Sequence, residues 1–273
     1  MCDDFSKSWK KDEVLISVKS LVLSVLLLTW SACGEQQTTT SSTDAAVVTT
    51  LGPAETGIDF SNDLAEGTDL NIIEYLYYYN GGGVAIGDID NDGLEDIYFT
   101  ANQGPDKLYR NKGDLSFEDI SQSAKIDQAS TWSSGVAMAD INNDGYLDIH
   151  VCKVGVGVLP EAHNLVYINQ KDGTFREMSA QLGLNFQGFS TQAAFLDYDR
   201  DGDLDLYLLN HNVHSVRSYG TTEKRQEQDA LAGDRLYENR LNEADAKFVD
   251  VTQQAGIYSS PLGYGLAVSC ADL

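Results

Sequence analysis

An acidic phrase of nine residues occurs three times in this chain at a spacing of about fifty residues, and that recurrence limits the possible folds more than any other feature. The copies are Asp88-Ile-Asp90-Asn-Asp92-Gly-Leu94-Glu-Asp96, Asp140-Ile-Asn142-Asn-Asp144-Gly-Tyr146-Leu-Asp148 and Asp197-Tyr-Asp199-Arg-Asp201-Gly-Asp203-Leu-Asp205. Side-chain oxygens fall at positions 1, 3, 5 and 9, and position 6 is always Gly. A short loop wraps a hard cation in this way. Alternate residues turn inward, Gly allows the sharp bend, and the backbone carbonyl of position 7 adds a further oxygen. The expectation is three Ca2+ sites, one per loop.

The flanks repeat as well. A small, apolar run precedes each loop: Gly83 to Gly87, Gly135 to Ala139 and Ala193 to Leu196. A β-branched or aromatic run follows each: Ile97 to Thr100, Ile149 to Cys152 and Leu206 to Leu209. Then come Lys107-Leu-Tyr-Arg-Asn111, Val166-Tyr-Ile-Asn169 and Arg235-Leu-Tyr-Glu-Asn239, and each unit closes at Phe117 to Ser121, Phe175 to Ser179 or Phe248 to Thr252. Each unit thus reads as four short strands punctuated by Gly, Asp and Asn turns. Four strands in a repeat of this length are the signature of a propeller blade. The fold class is therefore all-β, a partial, open β-propeller with repeats over 80–130, 131–188 and 189–256. A truncated fourth repeat, 257–273, contains a new opening run from Gly263 to Asp272, so the chain reads as a C-terminally truncated piece of a longer propeller. Thr56 to Phe60 and Ile73 to Tyr79 read as strands of a neighbouring blade.

Helical calcium motifs do not fit. An EF-hand needs a bidentate Glu at position 12 and flanking helices. Position 12 here is Phe99, Val151 or Leu208, each inside a strand-like run. Tandem nonapeptide β-rolls repeat every nine residues and fail on spacing. Gly81 to Gly87 lacks the dinucleotide-loop spacing and precedes a strand, not a helix.

With the loops and tails in view, the chain resembles FG-GAP/VCBS repeat proteins, and most closely the bacterial proteins similar to cartilage acidic protein 1, which often carry an ASPIC/UnbV module. The phrases that carry the resemblance are Tyr78-Tyr-Asn-Gly-Gly-Gly-Val84, Leu208-Leu-Asn-His211, Ser259-Ser-Pro-Leu-Gly-Tyr-Gly-Leu266 and the Val249-Asp-Val-Thr-Gln-Gln-Ala-Gly-Ile257 run. The resemblance spans about 56–273. It implies a calcium-binding propeller, seven-bladed when complete and similar to that of integrin α chains, without implying a chemistry.

The N-terminus reads as a lipoprotein-type signal peptide over 1–32, whose apolar core Leu21 to Leu28 is too short to span a bilayer comfortably. Ser31-Ala32-Cys33 resembles a lipobox with Cys33 as the lipidated residue, and 33–55 is a polar tether. The expected address is the bacterial cell envelope, lipid-anchored at the outer membrane or surface, or secreted, with no other membrane contact. The formal net charge of −24 argues against nucleic acid as a partner, because such a surface repels phosphate backbones. Cys152 and Cys270 lie in non-neighbouring repeats and read as buried free thiols.

Against that acidic background one basic cluster stands out. The loop at about 211–234 holds His211, His214, Arg217, Lys224 and Arg225. It reads either as a recognition loop for an acidic glycan or protein carboxylate, or as a solvated rim with a short helix from Thr222 to Leu231. The His-x-x-His pair alone is a weak metal motif. The Tyr75 to Tyr79 run reads as a strand packed alternately on core and rim, or as a sugar-stacking platform. No nucleophilic triad stands out. The functional expectation is a surface-anchored, calcium-binding propeller that binds an extracellular glycan or protein. The alternative is a propeller-based polysaccharide lyase or hydrolase.

Overall fold

Twelve strands form three four-stranded antiparallel sheets, each in plain sequence order, β1-β2-β3-β4, β5-β6-β7-β8 and β9-β10-β11-β12. A computed structural model describes residues 49–212, 227–244 and 246–271. The first sheet contains β1 (Val84–Gly87), β2 (Asp96–Phe99), β3 (Lys107–Asn111) and β4 (Phe117–Asp119). The second contains β5 (Trp132–Ala139), β6 (Asp148–Val154), β7 (Leu165–Asn169) and β8 (Phe175–Glu177). The third contains β9 (Ser190–Leu196), β10 (Asp205–Asn210), β11 (Arg235–Arg240) and β12 (Lys247–Asp250). Helix among the described residues is limited to single turns at Pro53–Thr56 and Ser179–Leu182. None of it is long and apolar enough to cross a membrane.

The sheets stack face to face, and the alternation of side chains decides which residues meet. Ile89, Tyr98 and Leu108 of the first unit pack with Val136, Ile149, Val151 and Tyr167 of the second. The opposite face of the second sheet supplies Cys152, Val166 and Ile168, which pack with Ala193, Leu206, Leu208 and Phe248. The middle sheet is thus covered on both faces, and β6 and β7 are buried along their whole length. At the innermost strands the backbones nearly touch. A Cβ added at Gly135 would lie 2.3 Å from the Thr191 carbonyl oxygen. The outer strands β4 and β8 are three residues long and mostly exposed, which keeps an open sheet edge short.

The stack is propeller-like but not a closed ring among the described residues. Val136 is 6% exposed in its contact with the first sheet, and Val84, the matching position of the first unit, is 55% exposed. Part of that outer face is covered by the preceding segment, where Phe60 stacks on Phe99 at 4.9 Å and the Tyr109 hydroxyl donates to Asp59.

Two segments expected as strands are not strands. Residues 57–60 run without regular structure, and 71–79 form consecutive turns. Asn71 initiates them, its side-chain oxygen accepting from the Ile73 amide at 2.9 Å. This places Tyr75, Tyr77 and Tyr78 together in a buried aromatic group with Trp132, which a flat strand could not do. The same packing buries Tyr75, Tyr77 and Tyr78 and leaves Leu76 and Tyr79 exposed. The helix expected from Thr222 falls partly outside the described residues, and its described part is not helical, with a turn at 230–232 built on Asp229 accepting from the Leu231 and Ala232 amides. Among the described residues the opening run from Gly263 forms no strand, and Tyr264 makes an isolated bridge with His211. Cys152 is a buried free thiol, as expected, whereas Cys270 is free but exposed, having no sheet to cover it.

Candidate metal loops

Each acidic phrase is the hairpin loop between the first two strands of its sheet, in one register. Gly87 pairs with Asp96, Ala139 with Asp148, and Leu196 with Asp205. Position 9 is therefore the first residue of the second strand in all three. The backbones agree as well. Position 4 is left-handed in every copy (Asn91 φ 60°, Asn143 φ 56°, Arg200 φ 68°), and so is the position-6 glycine (Gly93 φ 88°, Gly145 φ 87°, Gly202 φ 96°). Nothing lies within 4 Å of a Cβ built on those glycines, so Gly is required by backbone conformation and not by space.

Within the loops the carboxylates are aimed by backbone amides. Asp88 accepts from the amides of Asp92 and Gly93, Asp140 from those of Asp144 and Gly145, and Asp197 from that of Asp201. Position 5 accepts from position 7 in each case, at 2.8, 3.0 and 3.0 Å. Position 9 is a keystone. One carboxylate oxygen accepts from the amide of position 2, and the other from the amide of an Asn at the end of the third strand. The pairs are Asp96 with Ile89 and Asn111, Asp148 with Ile141 and Asn169, and Asp205 with Tyr198 and Asn239. These three carboxylates are buried.

Burial is the first reason their protons are held more tightly than usual. Asp148 is pushed up to about 7, with Asp140 and Asp144 adding repulsion against its amide hydrogen bonds. Asp96 and Asp205 are raised for the same reasons. Asp203 rises to about 6, through burial and then the neighbouring Asp201 and Asp205 charges. Such loops are electrostatically unfavourable on their own and suit a cation.

The donor set passes the same test. Carboxylate oxygens of Asp88, Asp90 and Asp92 lie within 4.8 Å of one another, and so do those of Asp197, Asp199 and Asp205. The position-3 oxygens Asp90 Oδ1 and Asn142 Oδ1 are buried with no hydrogen-bond donor, as is Asp203 Oδ1. A buried oxygen without a donor is unusual, and a cation satisfies it. The second loop has Asn in place of Asp at position 3, so it offers one charge fewer than the first. Leu94, Tyr146 and Asp203 occupy position 7, where a backbone carbonyl would add a ligand.

The basic cluster is placed differently from the expectation. His214, Arg217, Lys224 and Arg225 lie outside the described residues, as do Cys33 and the segment read as a signal peptide. His211 is not a loop residue but a core one, 1% exposed, with its ring 3.8 Å from that of Tyr77. Thr191 gives its hydroxyl proton to the Gly265 carbonyl, so His211 Nδ1 donates to Thr191, and Nε2 accepts from the Tyr75 hydroxyl at 3.1 Å. Burial lowers its pKa to about 3, so it is a neutral structural imidazole. It borders a cavity of about 400 Å³ at the innermost strands, with Tyr77, Trp132 and Gln192.

The keystone asparagines were missed as functional residues. Their signal was present, since each third strand carries Asn two residues after its Tyr, at Asn111, Asn169 and Asn239.

Residues 88–151 and 156–208 match the family of FG-GAP-like repeats. The chain is 33% identical to cartilage acidic protein 1 of Xenopus tropicalis over 135 residues, 49% of this chain and 20% of that protein. It is 39% identical to the Mus musculus protein of that name over 143 residues, again 49% and 20%. It is 40% identical to the Homo sapiens protein over 72 residues, 26% of this chain and 11% of that protein. The chain thus spans a fifth or less of these relatives. The family resemblance read from the loops and tails is borne out. The reading of Cys33 as a lipid anchor in a bacterial envelope gains no support from these vertebrate relatives.

Proposed function

We propose, from the premise that this chain carries FG-GAP-like repeats, that it is a calcium-stapled propeller segment that works outside the cytosol and presents a binding surface to a glycan or protein. The observation that carries the metal reading is the threefold identity of the loops, with position-3 oxygens buried and donorless in two of them. Calcium supplies positive charge that offsets the carboxylate repulsion. Asp88, Asp90, Asp92 and Asp96, with their counterparts in the other loops, would hold it, tying the first two strands of each blade together. Affinities of such sites in extracellular modules are about 0.1–1 mM. That range is filled outside a cell and empty in a cytosol, which supports a secreted or surface address. In the complete protein the ring would close with seven blades.

The loops sit at one end of each sheet. Among the connections between second and third strands, the one from β10 to β11 is the longest, and its sequence carries Arg217, Lys224 and Arg225. Those three basic side chains are the groups that would meet an acidic glycan or a protein carboxylate. A panel of sulfated and uronic acid glycans tests this by binding in 1 mM calcium. Retention that is lost when Arg217, Lys224 and Arg225 are changed together to Glu is expected. Equal binding by the triple variant would refute the assignment.

A further inference from the structure

We infer that Asn169 and Asn239 are positioning residues that couple neighbouring cation loops, so that the loops fill cooperatively; this rests on the metal reading above. The hydrogen bonds form one continuous series. Tyr198 N donates to Asp205 Oδ2 at 2.7 Å, and Asn239 N donates to Asp205 Oδ1 at 2.8 Å. The Asn239 side-chain amide then crosses to the previous unit and donates to the Ile141 carbonyl at 3.2 Å. Ile141 N donates to Asp148 Oδ2 at 3.1 Å, and Asn169 N to Asp148 Oδ1 at 2.8 Å. Asn169 Nδ2 crosses again, to the Ile89 carbonyl at 2.8 Å, and Ile89 N donates to Asp96 Oδ2 at 3.0 Å. Every group named is buried except Tyr198, at the outer end of the series.

The peptide at position 2 is the joint. It lies between the ligands at positions 1 and 3, its amide is held by the loop's own position-9 carboxylate, and its carbonyl is held by the next unit's Asn. Fixing position 9 in one loop fixes the Asn amide, and the Asn side chain fixes the position-2 peptide of the loop before it. A loop ordered by its ion thus lowers the ordering cost for its neighbour, the basis of positive coupling between sites. A second link runs directly between loops, Asn91 Nδ2 to the Gly145 carbonyl at 2.9 Å.

The first sheet supplies an internal control. Asn111 makes the same contacts within its own unit, to Asp96 and to the Glu95 carbonyl at 2.9 Å, as Asn169 does to Leu147 and Asn239 to Leu204. Among the described residues its side chain bonds within its own unit, to the Glu95 carbonyl and from the Gly113 amide, and to no other loop. Asn111→Ala therefore disturbs one loop, and Asn169→Ala or Asn239→Ala disturbs two.

The experiment is a calorimetric Ca2+ titration of the full chain and its variants. The wild-type chain is expected to take up its ions with a Hill coefficient above 1. Asn169→Ala and Asn239→Ala should bind as many ions with a Hill coefficient falling toward 1, whereas Asn111→Ala should lower affinity and keep the cooperativity. Should the asparagine variants fail to fold, Asp144→Asn, which changes an outer carboxylate of the second loop alone, provides the test. Coupling predicts that the remaining loops then bind at least about fivefold more weakly. Non-cooperative wild-type uptake, or cooperativity unchanged in Asn169→Ala, or remaining loops unaffected by Asp144→Asn, overturns the coupling while leaving the metal sites intact. Absence of any uptake overturns the metal reading itself, and the coupling with it.

Discussion

At the scale of single residues, the three loops share a backbone but not a composition, and the differences have measurable consequences. Position 4 is left-handed in each loop. Asn tolerates that conformation, and Arg200 does so less readily. Arg200→Asn is therefore expected to stabilise the chain by about 0.5–1 kcal/mol, read from chemical denaturation. An unchanged midpoint would show that Arg200 gains a compensating contact. His211 offers a pH test. Its folded pKa of about 3 lies below the unfolded value of about 6.5, so below that pH the unfolded chain takes up a proton that the folded chain refuses. Stability conferred by neutral His211 is thus complete above about 6.5 and is lost as pH falls toward 3, by up to about 1.4 kcal/mol per pH unit. His211→Gln should flatten the wild-type slope between pH 6 and 4 by about that amount. Equal slopes would place a charged imidazole in the fold.

At the scale of elements, sheet contact depends on small residues at the innermost strands. Gly135→Ala drives a methyl into the Thr191 carbonyl region, where backbone cannot yield cheaply. A loss of about 1–3 kcal/mol in thermal or chemical unfolding is expected, without change in calcium stoichiometry. A neutral substitution would mean that β5 and β9 slide apart more easily than their packing implies. This scale also separates what the sequence disclosed from what it did not. The strands and loops were legible because their signals are local, a period of two and an oxygen at every second position. The Tyr75 to Tyr79 run was not legible. Its strand-like composition is overruled by an Asn71 turn and by Trp132, more than fifty residues away in sequence. His211 reads as a loop residue until Tyr75, 136 positions earlier, is seen to cover it. The cross-unit roles of Asn169 and Asn239 were hidden for the same reason, since their partner carbonyls lie 80 and 98 positions earlier.

At the scale of the whole molecule, three stacked sheets with buried carboxylates must tolerate a large negative charge, −24 over the chain. Three calcium ions would reduce it to about −18 and act where the charge is most concentrated. With dissociation constants near 0.1 mM and 1 mM calcium, each site adds about 1.4 kcal/mol, so three add about 4 kcal/mol. In a unit of this size that corresponds to a melting temperature higher by about 10 °C. The acid excess left after filling belongs to the surface and should keep nucleic acids away, with no retention on DNA or RNA resins at 150 mM salt as the expected result.

The most direct test of the account is a pair of thermal melts, in 1 mM calcium and in chelator, for the wild-type chain and for the variant with Asp90, Asn142 and Asp199 all changed to Ala. The account predicts that calcium raises the wild-type melting temperature by about 10 °C and leaves the variant where the chelated protein melts. A wild-type melt indifferent to calcium, or a variant that retains the full calcium shift, would contradict it.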